Sequence, residues 1–506
     1  MTAPIFTPYS TVKPLMPATM PAWITSELDQ QRILSYQIYE QIYWNVPETF
    51  KLMARGSENK PIYLPNAKTI VETCNRYTAT NMSVNMKSSL VKGAIDADKV
   101  VYQDFLDNFF KRERFWSKFA GNKRYGLIRG DWLWYIIADP AKPEGSRISI
   151  RPLDPASYFP ITDPDDVDKI IGCHIVDQQT DDKGDVKIHK TTYIRPLVAP
   201  DRNPGQFVQV EEGIYKLDEW EGIGSKPEKA IRPPQQLPGI TSLPVYHIPN
   251  FDEPANPFGS SEIRGIERIM AAVNQAISDE ELALALEGLG LYVTDAPSPT
   301  DDDGNLVGWI LGPGRVAEVP AGSFFNRVSG VSSVDSSQAH VASLITHMRE
   351  SAAIPDVAVG TVDVAIAQSG IALALQFAPI LAHTNEKDVS IVEVHAQMLY
   401  DLQTQWFPTF EGLTMAGVVL DPVVGDKIPV DRAQKFTELN DALDRQAIST
   451  AFYRSEMEKL GYTFPSDIQT QIADDAARVA ASVDPFGTRT ADELNASSGD
   501  ATGGVA

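Results

Sequence analysis

The sequence predicts an α+β protein. Three observations carry this. Helical periodicity dominates the first 125 or so residues, a block of short alternating strands fills 130–250, and two long helical patterns later bracket a small β-rich stretch. At 506 residues, 43% of them hydrophobic and 22% charged, the chain is long and apolar enough to bury a sizeable core.

The first helix is expected over 26–45, where Leu28, Ile33 or Leu34, Ile38 and Ile42 recur at helical spacing. Ser26 is its candidate cap and Pro47 helps end it. A second helix follows Asn66. A third is expected as one piece from about Lys99 to Tyr125, carrying a core stripe of Phe105, Phe109, Phe110, Phe115, Trp116 and Phe119. The strand block begins after Gly130 with Trp132 to Ile137. It continues through 147–151, 158–161, 170–176, 191–194, 207–210 and 214–220, punctuated by Gly, Pro and Asp.

From Phe258-Gly259-Ser260-Ser261 a long helix is expected to Leu289, about 27 residues and ~40 Å, with Ser260 or Ser261 as cap. Its polar face would present Glu262, Glu267, Asp279, Glu280, Glu281 and Glu287. About forty residues of strand and turn follow, with strands expected at 291–294, 307–311 and 315–319, and a second helix over about 336–353 ends at Ile354-Pro355. The stretch 355–370 reads as a small-residue loop holding Asp356 and Asp363 and no basic residue. Another long helix is expected over 371–406, kinked or broken near Pro379. The remainder, about 408–481, reads as short helices joined by turns such as Asp421-Pro422. The last twenty-odd residues have the composition of a disordered tail.

There are 67 acidic against 44 basic side chains, a net charge of −23, so no overall field draws the chain to nucleic acid. Cys74 and Cys173 are too few for a disulfide framework and read as buried reduced thiols. The sequence predicts neither a signal peptide nor a membrane span, hence a soluble protein made in a cytoplasm. No phosphate-binding loop, dinucleotide fingerprint, nucleophile elbow or zinc-protease helix occurs. His340 and His347 share a helix face without an evident third ligand, and His383 and Glu386 share another, with His395 further along. No catalytic residue, metal or cofactor is expected.

Three stretches and their order resemble the portal proteins of tailed double-stranded DNA bacteriophages. One runs from Gly126-Leu127-Ile128-Arg129-Gly130-Asp131-Trp132 to Arg151-Pro152-Leu153-Asp154-Pro155-Ala156-Ser157-Tyr158-Phe159-Pro160. The second is Leu243-Pro244-Val245-Tyr246-His247-Ile248-Pro249-Asn250 followed by Phe258-Gly259-Ser260-Ser261. The third runs from Ile354-Pro355-Asp356 to Ser369-Gly370-Ile371-Ala372-Leu373. The resemblance implies a portal fold with an α/β wing, a two-helix stem, a small β-containing clip, a kinked tunnel helix and a helical crown. On this chain it implies an N-terminal arm at 1–25, wing at 26–258, first stem helix at 259–290 and clip at 291–330. The second stem helix would be 331–354, the tunnel loop 355–370, the kinked helix 371–407, the crown 408–481 and a disordered tail 482–506.

It implies a non-enzymatic subunit of a ring, usually twelve-fold, at one capsid vertex of the virion, assembled in the bacterial host cytoplasm. Partners would be other copies of the chain, the major capsid protein, terminase, a head-completion or adaptor protein, and passing double-stranded DNA. Asp356, Val357, Val359, Gly360, Thr361 and Asp363 would face the DNA, and Pro379 would set the kink. A conduit must not hold its cargo, and each phosphate contact from a basic side chain adds affinity, so acidic and small residues suit a channel wall. Two alternatives stand beside this one: an acidic cytosolic hydrolase working through carboxylates, and another phage head protein such as a minor capsid component.

Overall fold

The computed structural model describes residues 23–50, 52–53, 61–180, 184–195, 207–252, 256–289, 291–300, 303–306, 309, 319–328, 335–360, 370–427, 432–459, 462, 468 and 470–474. The chain is mixed helix and sheet, an α+β arrangement. It divides into two units, 1–427 and 428–506.

Helix α1 (Glu27–Tyr43) starts where expected, with the Ser26 hydroxyl accepting from Asp29 N. It ends before Asn45, which turns left-handed ahead of Pro47. Trp23 and Ile24 are already buried, against Phe159, Val176 and Trp220, so the packed body begins before residue 26. Helix α2 (Asn66–Tyr77) follows. The single third helix does not form. Arg114 takes φ +52° and splits it into α3 (Asp96–Glu113) and α4 (Phe115–Arg129). The reason is packing. Phe110 and Phe115 are five apart, so a continuous helix would turn them about 140° away from each other. The break brings their rings to 5.0 Å and lets both enter one core with Phe109, Phe119, Trp134 and Phe407.

Strand β2 (Asp131–Ala138) lies centrally between β3 (Ile148–Leu153) and β9 (Val245–Pro249), all antiparallel. Trp132, Trp134 and Ile136 face the aromatic core. Leu133, on the other face, meets Tyr158, Cys173 and Val210. That second core is covered by a five-stranded antiparallel meander: β4 (Tyr158–Asp163), β5 (Asp166–Thr180), β6 (Val186–Ile194), β7 (Gln209–Lys216) and β8 (Lys229–Gln236). Strand β8 lies beyond the strands expected from the sequence, and it contains Pro233 and Pro234. As an edge strand it needs donors on one side only, which is where proline is tolerated.

Helix α5 (Glu267–Leu289) leads to an antiparallel pair, β10 (Leu291–Thr294) and β11 (Phe325–Val328), and helix α6 (Asp335–Ser351) returns and packs on α5. The strands expected at 307–311 and 315–319 lie, but for Trp309 and Val319, outside the described residues. Helix α7 (Gly370–Asp401) continues through Pro379, so of the expected kink or break the break does not occur. Proline removes one donor, to the carbonyl four residues back, and both Leu375 and Pro379 are exposed, so water can serve that carbonyl. The helix then widens into a π-helical segment, Leu402–Glu411, instead of ending near Trp406.

Residues after 408 do not all form helices. Strand β12 (Val418–Val423) pairs antiparallel with β1 (Ser83–Ser88), placing Asp421-Pro422 in a strand rather than a turn. The first compact unit therefore runs to 427, past the boundary expected at 408. Within the second unit, α8 (Arg432–Asp444) and α9 (Thr450–Lys459) are helical as expected. No described helix is long and apolar enough to cross a membrane.

Candidate functional site: the helical hairpin and its root

The α5–β10–β11–α6 hairpin is joined to the body at a root where two of the portal-like stretches meet. Helix α4 ends with carbonyls that have no partner in their own helix. The segment 259–262 supplies the donors. Glu262 N donates to Leu127 O at 3.0 Å and the Ser261 hydroxyl donates to Ile128 O at 2.5 Å, while Asn250 N donates to Gly130 O at 2.7 Å. Gly130, at φ +105°, closes the helix in a left-handed cap.

Asp131 follows directly and is fully buried. Its carboxylate accepts from Tyr36 Oη at 2.5 Å and from Gly259 N at 2.8 Å, and His247 Nε2 lies 2.8 Å away. Burial pushes the Tyr36 phenol far up, with the Asp131 charge adding to it, so it remains a donor. Arg32 ties in the remaining motif. It donates to Pro155 O and Tyr158 O and lies 4.1 Å from the centre of the Phe258 ring. Residues of the first two of these stretches thus form one packed junction.

Neither Ser260 nor Ser261 caps α5. The chain turns through 262–266, Gly265 takes φ +94°, and the helix starts at Glu267. The expected acidic face is also different. Glu262 lies before the helix and is buried. Glu267 is 0% exposed in the first turn, and burial pushes its carboxyl up to about 7. Asp279 and Glu280 are half-buried and Glu281 exposed. At 100° per residue these three fan around the helix rather than sharing a face. The Glu287 side chain lies outside the described residues. Polar residues of α5 serve the chain itself: Asn274 Oδ1 accepts from Leu64 N, Ser278 Oγ from Ile62 N and Gln275 Oε1 from Met53 N.

Helix α6 buries Val341 and Met348, seven apart on one stripe, and leaves His340 and His347 exposed. The loop after it is only partly as expected. Asp356–Val359 forms a short 3-10 turn. Asp356 is exposed but paired with Arg349 at 2.8 Å, and Val357 is buried, so it does not face a channel. Its burial follows from its being apolar beside Ile354 and Ala358, both also buried. Val359 is half-buried and Gly360 exposed, while Thr361 and Asp363 lie outside the described residues.

Sequence reasoning missed a polar cluster at the root. Glu262 contacts Lys387 Nζ, accepts from Asn250 Nδ2 at 3.0 Å and lies 2.9 Å from His383 Nε2. Lys387 Nζ is 3.1 Å from His383 Nε2 and 4.5 Å from the Phe251 ring centre. The Cys74 sulfur, a Glu262 oxygen and a His383 ring nitrogen lie within 4.8 Å of one another. Burial pushes Lys387 down to about 7, lowers His383 and raises the Cys74 thiol. These residues come from α2, the turn before α5, and α7. Their spacing carries no signal except that His383 and Lys387 are one helical turn apart.

No protein-family model and no curated protein sequence matches the chain.

Proposed function

We propose that the chain is a portal-type subunit: one member of a closed ring that passes double-stranded DNA through a capsid vertex and docks packaging and tail-attachment proteins. The observation that carries this reading is the α5–β10–β11–α6 hairpin. Two long helices bracket a tip whose described strands are the β10–β11 pair and are rooted in an α+β body, and α6 buries only one stripe of its surface in its own chain. A helix with so little cover of its own is suited to packing side by side in a ring built from heterologous contacts. In this reading the hairpin is the stem, its tip the clip, and α7 with Pro379 the tunnel helix.

Among the described residues, the two carboxyls pushed up by burial that could act as acids, Glu267 and Asp401, are almost fully enclosed and not open to a substrate. That favours a structural role over a carboxylate hydrolase. Native mass spectrometry and negative-stain microscopy of the purified chain test the reading. A closed ring with an axial channel is expected, and a stable monomer at high concentration would count against it.

A further inference from the structure

The root cluster combines a thiol, an imidazole and a carboxylate. This is the donor set that zinc-class cations take, whereas magnesium and calcium prefer oxygen alone. The three donors arrive from segments nearly 190 and 120 residues apart in sequence (74, 262 and 383), yet lie within 4.8 Å of one another. A tetrahedral zinc with bonds of about 2.0–2.3 Å needs donor separations of about 3.3–3.8 Å, so side-chain adjustments of about 1 Å would close the set. Among the described residues no other three such donors converge. Cys173 lies apart in the second core.

The Lys387 amine already occupies this position, in contact with Glu262 and His383. We propose that Cys74, Glu262 and His383 form a site for a zinc-class divalent cation, which takes the place held by the Lys387 amine and ties α2 and α7 to the turn that leads into α5. The entering dication releases the thiol proton of Cys74. The thiolate, the carboxylate and a neutral imidazole then balance its two charges. The displaced amine retains the face of Phe251 as a contact. The site would fix the hairpin root to the body independently of whether the chain forms a ring.

The test is a titration of the full chain, freed of metal by chelation, with Co2+ as a coloured stand-in for Zn2+. A thiolate-to-cobalt charge-transfer band is expected, saturating at one equivalent and bleached by Zn2+. C74S should lose the band, and H383A should weaken binding by at least about tenfold. K387Q should tighten it by a similar factor, because a competing amine is gone. Absence of the band in both the wild-type chain and K387Q overturns the proposal. So does a band that survives in C74S, which would place the metal on Cys173. H383A, at a less buried position, carries the comparison if C74S does not fold, and unchanged affinity there also overturns the site.

Discussion

Gly130 and Gly259 pass backbone against backbone. A Cβ on Gly259 would sit 2.5 Å from the Gly130 carbonyl oxygen, and one on Gly130 would sit 2.9 Å from the Gly259 carbonyl oxygen. This approach lets Gly259 N reach Asp131 and lets the following residues cap α4. G259A and G130A are each expected to cost roughly 2–4 kcal/mol, the second adding left-handed backbone strain to the clash. Urea denaturation of the purified variants checks this, and a loss below about 0.5 kcal/mol in both would mean the junction can open without penalty.

Glu267 gives a pH dependence with a definite sign. Its carboxyl rises from an ordinary 4.5 to about 7 on burial. Between those values the folded chain holds the proton more tightly than the unfolded chain. The stabilisation is therefore complete below about pH 4.5 and lost as pH rises to about 7. E267Q removes this titration. Relative to the wild type, it should gain stability from about pH 5 to pH 8 and level off above. The gain should be a few kcal/mol, since each tenfold change in proton affinity is worth about 1.4 kcal/mol. Chemical denaturation at a series of pH values reads the difference, and parallel curves would show that Glu267 does not titrate in this range.

Pro379 sits inside a continuous helix at an exposed position, so nothing packed depends on its ring. P379A restores a donor and removes a ring clash. It should raise thermal stability, by about 1–3 kcal/mol in equilibrium terms. If the chain works as a portal, a stiffer α7 should also slow DNA packaging while leaving ring assembly intact. A destabilised P379A would show instead that the proline is required for the packing of α7.

The stretch expected to face DNA can be tested while sparing the buried residues just before it. Val357 and Ala358 are buried, so a deletion should spare them and begin at 361. If the chain works as a portal, removing 361–366 is expected to leave the ring intact and to impair packaging or retention of DNA. Normal packaging by the deleted chain would remove the DNA-facing role of this segment.

R349A separates Asp356 from its partner. The pair is at the surface, so the stability change should be under about 1 kcal/mol, and smaller still in high salt. Thermal melts at two salt concentrations measure it.

Sequence alone determined the elements whose signals are local. The Ser26 cap, the helices over 66–77 and 335–351, the alternation in the strand block and the Leu291–Thr294 strand all rest on spacing within a few residues. It failed where a local rule met a distant partner. The Arg114 break exists because aromatic side chains on both sides of it share one core. Asp421-Pro422 is a strand because β1 offers it an edge. Pro233 and Pro234 are tolerated because β8 is an edge itself. The acids were the largest misreading. A glutamate looks alike in sequence whether it faces water or a lysine, and only the tertiary structure placed Glu262 against Lys387 and His383. Burial and charge pairing are properties of what the folded chain brings close, and 74, 262 and 383 become neighbours only through packing.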